Sequence, residues 1–293
     1  MDEGENMKSD RAWIPYAFLL PNMLIFGIFV GLPAIYGIFY AFTEWDGIST
    51  PIFVGIENFR TILSDSEFWT MLLRTSVYVA IVVPLTVVCA LGLAWLLTRE
   101  IKGSNIFRAI FFLPVMISFI VAGLMWNWIL QTDTGLINYL LTVIGIEPVG
   151  WLSNPIFANI SVIVVTVWNR VGFFMLIFIA GLQSISKSYY EAAEIDGANN
   201  WNKFRLVTIP LLRPITLLVV ILCFIEFFKT FALVVSLTGG GPINATRYFV
   251  QYTYDTGFGL GEFGMGSALS LILFVIMAVI TLIQWKVSNG GRV

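Results

Sequence analysis

The chain contains no histidine, and only 12% of its 293 residues are charged. The first absence removes imidazole acid–base catalysis, Ser-His-Asp triads and histidine metal sites. The second, together with 58% hydrophobic residues and a mean hydropathy of +0.87, departs from soluble domains, where about 25% of residues are charged. Cysteine is nearly missing too. Cys89 and Cys223 both sit in apolar stretches, which excludes a disulfide framework or a CxxC site. A net charge of −2 lacks the basic footprint of a nucleic-acid binder. What is present in excess is long apolar runs, so the chain reads as a membrane protein.

A bilayer core needs roughly 20 apolar residues per helix. Stretches free of Asp, Glu, Lys and Arg cover Ala12–Thr43, Thr75–Thr98, Ala109–Thr132 and Phe263–Trp285. Two more are interrupted, one by Arg170 and one by Glu226 and Lys229. The resulting expectation is an all-α, polytopic chain forming one transmembrane domain over residues 1–293. Its six helices fall at about 13–42, 75–98, 108–131, 157–182, 215–237 and 264–285. The first run is too long for a cleaved leader and reads as an uncleaved span containing Pro21 and Pro33. Gly27 and Gly31 within it read as a close-packing face.

Lys and Arg fall unevenly between the two sides. Eleven (Lys8, Arg11, Arg99, Lys102, Arg108, Lys187, Lys203, Arg205, Arg213, Lys286, Arg292) share one side and three (Arg60, Arg74, Arg247) the other, which places both termini in the cytoplasm. On that side the connector 185–214 is longer than the others. Ser188-x-x-Glu191 reads as a capping box, Glu191–Asp196 as a helix and Gly197 as its left-handed stop. Asn200 is expected to cap a second helix, Trp201–Thr208, closed by Pro210. With Tyr189, Tyr190, Ile195, Trp201 and Phe204 on it, the segment is either a surface connector or a docking element.

The string Glu191-Ala192-Ala193-x-x-Asp196-Gly197-Ala198, followed by Val207-x-Ile209-Pro210 with nine residues between Gly197 and Val207, resembles the EAA motif of ATP-binding-cassette (ABC) importer permeases. Gly181-Leu182-Gln183 before it, Leu211-Leu212-Arg213-Pro214 after it and Thr238-Gly239-Gly240-Gly241-Pro242 beyond span 5 fit the same family. Phe53–Phe59 and Gly135–Asn138 look like its carbohydrate-uptake, maltose permease-like branch. The resemblance implies a type I importer permease fold in a bacterial or archaeal cytoplasmic membrane, and a sugar carried by alternating access. It makes Glu191, Ala192, Ala193, Asp196, Gly197, Ala198 and Pro210 the coupling element for a cytoplasmic ATPase dimer. The implied partners are that ATPase, a second permease subunit, an extracellular solute-binding protein, the sugar and membrane lipid, without nucleic acid. Lys8, Lys187 and Lys229 are the only lysines followed by Ser or Thr, and none follows a Gly, so no Walker A loop is present. ATP and Mg are therefore expected on the partner ATPase, with no cofactor and no catalytic residue in this chain.

Charges deep in a bilayer are functional candidates. Arg170, Glu226 and Lys229 fall at interior depth, with Glu226 and Lys229 three residues apart on one helical face. They form either an ion-pair knot between spans 4 and 5 or part of a polar solute path. Trp168, Asn169 and Phe173, with Trp126 and Asn127, supply the stacking faces and directional groups a sugar needs. For Trp126 and Trp128 an interfacial belt competes with that reading; Asn169 is assigned to the path. Other solutes (a polyol or a glycerophosphate ester) and an ion-driven secondary transporter are the alternatives. The latter lacks evident internal repeats.

Overall fold

The computed structural model describes residues 14–98 and 103–288. Lys8, Arg11, Arg99, Lys102 and Arg292, which contribute to the charge asymmetry, lie outside them. The regular secondary structure of the described residues is helical apart from one two-stranded antiparallel ladder, β1 (Thr43–Glu44) on β2 (Ile52–Phe53), in register Thr43↔Phe53. Four helices are long and apolar enough to cross a membrane. Two sharply bent helix pairs bring the number to six if each pair is one span.

The chain divides into two compact units. The first holds the residues up to Ser64 and Thr253–Phe274. Its opening helix is α1 (Ile14–Phe26), a π-turn (Gly27–Gly31) and α2 (Leu32–Tyr40) in succession. Gly27 and Gly31 do not form a close-packing face within the chain. They flank the π-turn, in which the Leu32 N–H donates to the Gly27 carbonyl. The turn lies two residues before Pro33, whose missing N–H disturbs the α-helical ladder. After β1 and β2 comes α3 (Glu57–Ser64). Its buried Asn58 donates to the carbonyls of Ala41 and Thr43, pinning the ladder to the end of α2. In the turn between the strands, Asp46 accepts from Ile48 N, Ser49 N and Ser49 Oγ. These bonds hold its carboxyl down at about 2.

The second unit, Asp65–Tyr252 with the chain from Val275 on, carries α4 (Ser66–Leu97), α5 (Ser104–Phe112), α6 (Phe119–Ile129), α7 (Leu136–Val143) and α8 (Pro155–Ser184). It continues with α9 (Lys187–Ile195), α10 (Asn200–Lys203), a π-turn (Phe204–Thr208), α11 (Ile209–Leu211), α12 (Arg213–Phe228), α13 (Ala232–Leu237) and α14 (Phe249–Tyr254), whose last two residues fall in the first unit. The last helix, α15 (Phe263–Val287), runs from the first unit into the second. The core is α4 against α8, with α12 on both. Thr86, Ala90 and Ala94 recur every fourth residue on α4 and are fully buried, a small-residue stripe that lets helix backbones approach. Across the pair, Tyr78 Oη lies 2.9 Å from Thr166 Oγ1, so two buried hydroxyls satisfy each other.

Three expected spans change their bounds. The second starts at Ser66, not at residue 75, because Asp65 caps it by accepting from Glu67 N. The third is broken: α5 runs through a 3₁₀ turn (Leu113–Met116), and α6 departs at 98° behind the N-cap Ser118. Pro114 and the Ser118 cap supply the break, hidden inside an apolar run of even composition. The fifth stops as a helix at Phe228, and its C-terminal part is the separate α13.

Candidate functional site

The connector between α8 and α12 is built from local chemistry. Ser186, in extended conformation, is the N-cap of α9, so the helix begins before Ser188 and the expected capping box does not form. Glu191 sits on the exposed side of the second turn, and Ala192 is exposed beside it, with Ala193 half-buried. At the far end Asp196 is the C-cap and Gly197 takes φ +78°. The Ala198 N–H donates to Ala193 O (2.8 Å) and the Gly197 N–H to Glu194 O (3.0 Å). This is the Schellman closure, which needs a left-handed residue at Gly197.

The second arm starts one residue earlier than expected, with Asn199 as cap accepting from Asn202 N at 2.8 Å. It does not stop at Pro210. The π-turn Phe204–Thr208, two residues before that proline, carries the helix through to Leu211, the same device that precedes Pro33. The bend comes at Leu212, where α12 leaves at 67°.

Three contacts that the sequence did not disclose clasp this segment. Lys203 Nζ reaches Glu194 Oε1 at 2.5 Å, Tyr190 Oη lies 3.1 Å from Thr208 Oγ1, and Phe204 packs on Trp95 of α4 at 4.7 Å. None has a local spacing that would reveal it. The clasp consumes the inward side chains and leaves Ile195 86% and Trp201 60% exposed, with Tyr189 and Leu206 also outward. A rigid two-armed element with an apolar outer face is a docking shape.

The membrane-buried candidates resolve into three groups. Arg170 Nε lies 2.7 Å from Glu226 Oε1, so α8 and α12 are joined by an ion pair, the knot rather than two separate charges. The Arg170 guanidinium also stands 4.2 Å above the Phe119 ring, a cation–π contact to the first residue of α6. Lys229, three residues on from Glu226, is not ion-paired with it among the described residues. It lies past the end of α12, in the C-cap, and is exposed.

Asn169 is completely buried, and its amide donates to Pro114 O (2.9 Å) and Ile117 O (3.3 Å). Its partner is thus the break in the third span, where the Pro114 carbonyl also accepts from Ile117 N–H at 3.1 Å. Nearby, Gly172 lets α5 come close: a Cβ there would lie 2.0 Å from Phe111 O.

The third group lies where α6 packs on α13. A Cβ on Gly123 would lie 1.9 Å from Ser236 Oγ, and Asn127 Nδ2 donates to Leu237 O at 2.7 Å. Asn127 therefore ties the C-terminal parts of spans 3 and 5 together. Trp126 meets Trp168 edge-to-face at 5.4 Å, and its buried indole N–H has no hydrogen-bond partner among the described residues. Phe173 is 40% exposed and packs edge-on to Phe174. Arg170, Glu226 and Phe119 are therefore gathered at one point, with Trp126 and Trp168 as an aromatic pair and Lys229 at the end of α12.

Residues 66–288 match the family described as binding-protein-dependent transport system inner membrane component. The probable starch degradation products transport system permease protein AmyD of Thermoanaerobacterium thermosulfurigenes is 35% identical, over 92% of this chain and 91% of its own. The trehalose/maltose transport system permease protein MalF of Thermococcus litoralis is 33% identical, over 98% of this chain and 97% of its own. A crystal structure of a bacterial ABC transporter involved in the import of the acidic polysaccharide alginate has the same fold. Its TM-score is 0.84 at 23% identity, covering 98% of this chain and 99% of that one. With the apolar helices, the broken spans and the connector in place, the match along most of the chain makes it a member of the family of inner-membrane components of binding-protein-dependent transport systems, an ABC permease.

Proposed function

We propose that this chain is one of two permease subunits of an ATP-driven importer, moving a sugar or oligosaccharide that an extracellular solute-binding protein delivers. The connector 185–214 docks a separate ATPase dimer, which binds ATP and Mg. Closure of that dimer is passed through Gly197 and the clasped arms to α8 and α12. The observation that carries this is the exposed apolar face of the connector, held on a Schellman-closed, ion-paired scaffold. Such a face has no use within its own fold and matches what a cytoplasmic partner needs. The sugar assignment rests on the relatives, whose names specify starch degradation products and trehalose/maltose. It is compatible with the Trp126–Trp168 pair as an aromatic face for a sugar ring. Neutralisation of Arg170 by Glu226 favours an uncharged solute over a phosphorylated one.

Purification of the tagged chain from native membranes tests this. A second permease and an ATPase are expected in stoichiometric amounts, and Ala193→Arg in the half-buried seat of α9 is expected to release the ATPase while the spans stay folded. A chain that purifies alone and moves solute on an ion gradient would refute the reading.

A further inference from the structure

The loop 238–247, between α13 and α14, is used by neither the connector nor the buried cluster. It is fastened at many points. Thr238 Oγ1 and Thr246 Oγ1 lie 2.7 Å apart, and the Thr246 hydroxyl donates to Gly241 O at 2.7 Å. Gln251 Nε2 donates to Gly239 O at 3.1 Å. From the start of α8, Asn159 Nδ2 donates to Ala245 O at 3.2 Å, and from α4 the Arg74 guanidinium donates to Asn244 O. Arg247 pairs with Glu67 at 2.5 Å. The loop is thereby bolted to the N-terminal ends of α4 and α8, the ends remote from the connector that follows the C-terminus of α8.

At its tip Pro242-Ile243-Asn244-Ala245 forms a turn closed by Ala245 N–H to Pro242 O at 2.9 Å, with φ +49° at Ile243 and +58° at Asn244. Two successive left-handed residues make this a type I′ turn, whose central positions suit Asn, Asp and Gly. Asn244 fits that rule. Ile243 breaks it, because a β-branched residue at positive φ is an outlier. It also breaks a second rule, since 90% of this apolar side chain is exposed. Backbone strain and apolar exposure thus coincide on one residue, on a loop too well fastened to relax, and strain held in this way marks functional positions.

We propose that Ile243 is a rigid apolar post that seats in a depression on the extracellular solute-binding protein and fixes its docking register. This rests on the importer reading above. The solute-binding protein is the occupant favoured because the post stands on a polar platform (Asn244, Arg74, and the Arg247–Glu67 pair) at the end of the helices away from the ATPase connector. An apolar anchor within a polar rim is the pattern of a protein interface.

The test uses the complete transporter in lipid nanodiscs, titrated with the purified solute-binding protein of the same system, reading the concentration that half-stimulates ATP hydrolysis. Ile243→Gly relieves the strained φ while deleting the post. It is expected to raise that concentration about tenfold, with basal ATPase and thermal midpoint unchanged or improved. Ile243→Asn is expected to behave likewise, whereas Ile243→Leu, still apolar, keeps near-native docking. A Gly variant stimulated at the wild-type concentration would overturn the proposal and leave Ile243 as a lipid contact or a bare turn residue. Absence of any stimulation in the wild type would instead refute the importer reading, so the two failures are distinguishable.

Discussion

Arg170 concentrates the energetics of the spans in one side chain. It balances Glu226 on α12 and covers Phe119 at the head of α6, so three elements depend on it. Removing one partner from such a pair leaves a charge with no compensation, a loss of about 3–5 kcal/mol where burial is deep; with both groups partly accessible, about 2 kcal/mol is the expected scale. Glu226→Ala should therefore lower the thermal midpoint of the detergent-solubilised chain. The double variant Arg170→Met/Glu226→Leu should recover most of it, because both charges are then gone. Equal losses in the single and double variants would show that the pair is not coupled. Asn169 argues similarly. Asn169→Leu keeps the volume and removes a donor from the Pro114 and Ile117 carbonyls, of which Pro114 O keeps its bond from Ile117 N–H; the cost is about 1–3 kcal/mol, and the break in the third span should loosen. Faster amide exchange over residues 113–121, by hydrogen–deuterium exchange, checks it. The rarity of charge in apolar runs made the Arg170–Glu226 knot visible in the sequence. The role of Asn169 was not visible, since nothing local announces which carbonyls a buried amide will meet 52 residues away.

Among the elements, the connector shows why some features are legible and others are not. Gly197 stops α9 through bonds that span five residues, and such chemistry is written in consecutive letters. Ser186 and Ser188 are equally good caps on paper, and only the extended backbone at Ser186 decides between them. Pro210 reads as a stop. The π-turn ahead of it supplies a different hydrogen-bond register, and the helix continues to Leu211. The Lys203–Glu194 clasp depends on how the two arms fold back, so it lies beyond pattern reading. Gly197→Val places a β-branched residue at φ +78°, at a cost of about 1–2 kcal/mol, and reopens the angle between the arms. The expected result is a complex that binds the ATPase weakly and hydrolyses ATP without transport. Transport measured in proteoliposomes alongside phosphate release checks it, and a fully coupled variant would contradict the role given to this turn.

On the scale of the whole molecule, the charge distribution and the architecture point the same way. The connector and the loop 238–247 lie at opposite ends of α8. Asn159 near its start touches Ala245, and Ser186 follows its C-terminus. The connector carries Lys187, Lys203, Arg205 and Arg213, whereas the segment after α6 carries Asp133 and Glu147. Because loops rich in Lys and Arg stay in the cytoplasm, the two ends should face opposite sides of the bilayer. Cysteine labelling decides this, starting from a chain in which Cys89 and Cys223 are replaced by Ala. A maleimide that cannot cross membranes is expected to label Asp133→Cys in intact cells. It should reach Asn202→Cys only after the membrane is opened, since both positions are exposed on their surfaces. The reverse pattern would invert the chain, placing the Ile243 post on the ATPase side and removing the ground for both the importer assignment and the docking proposal.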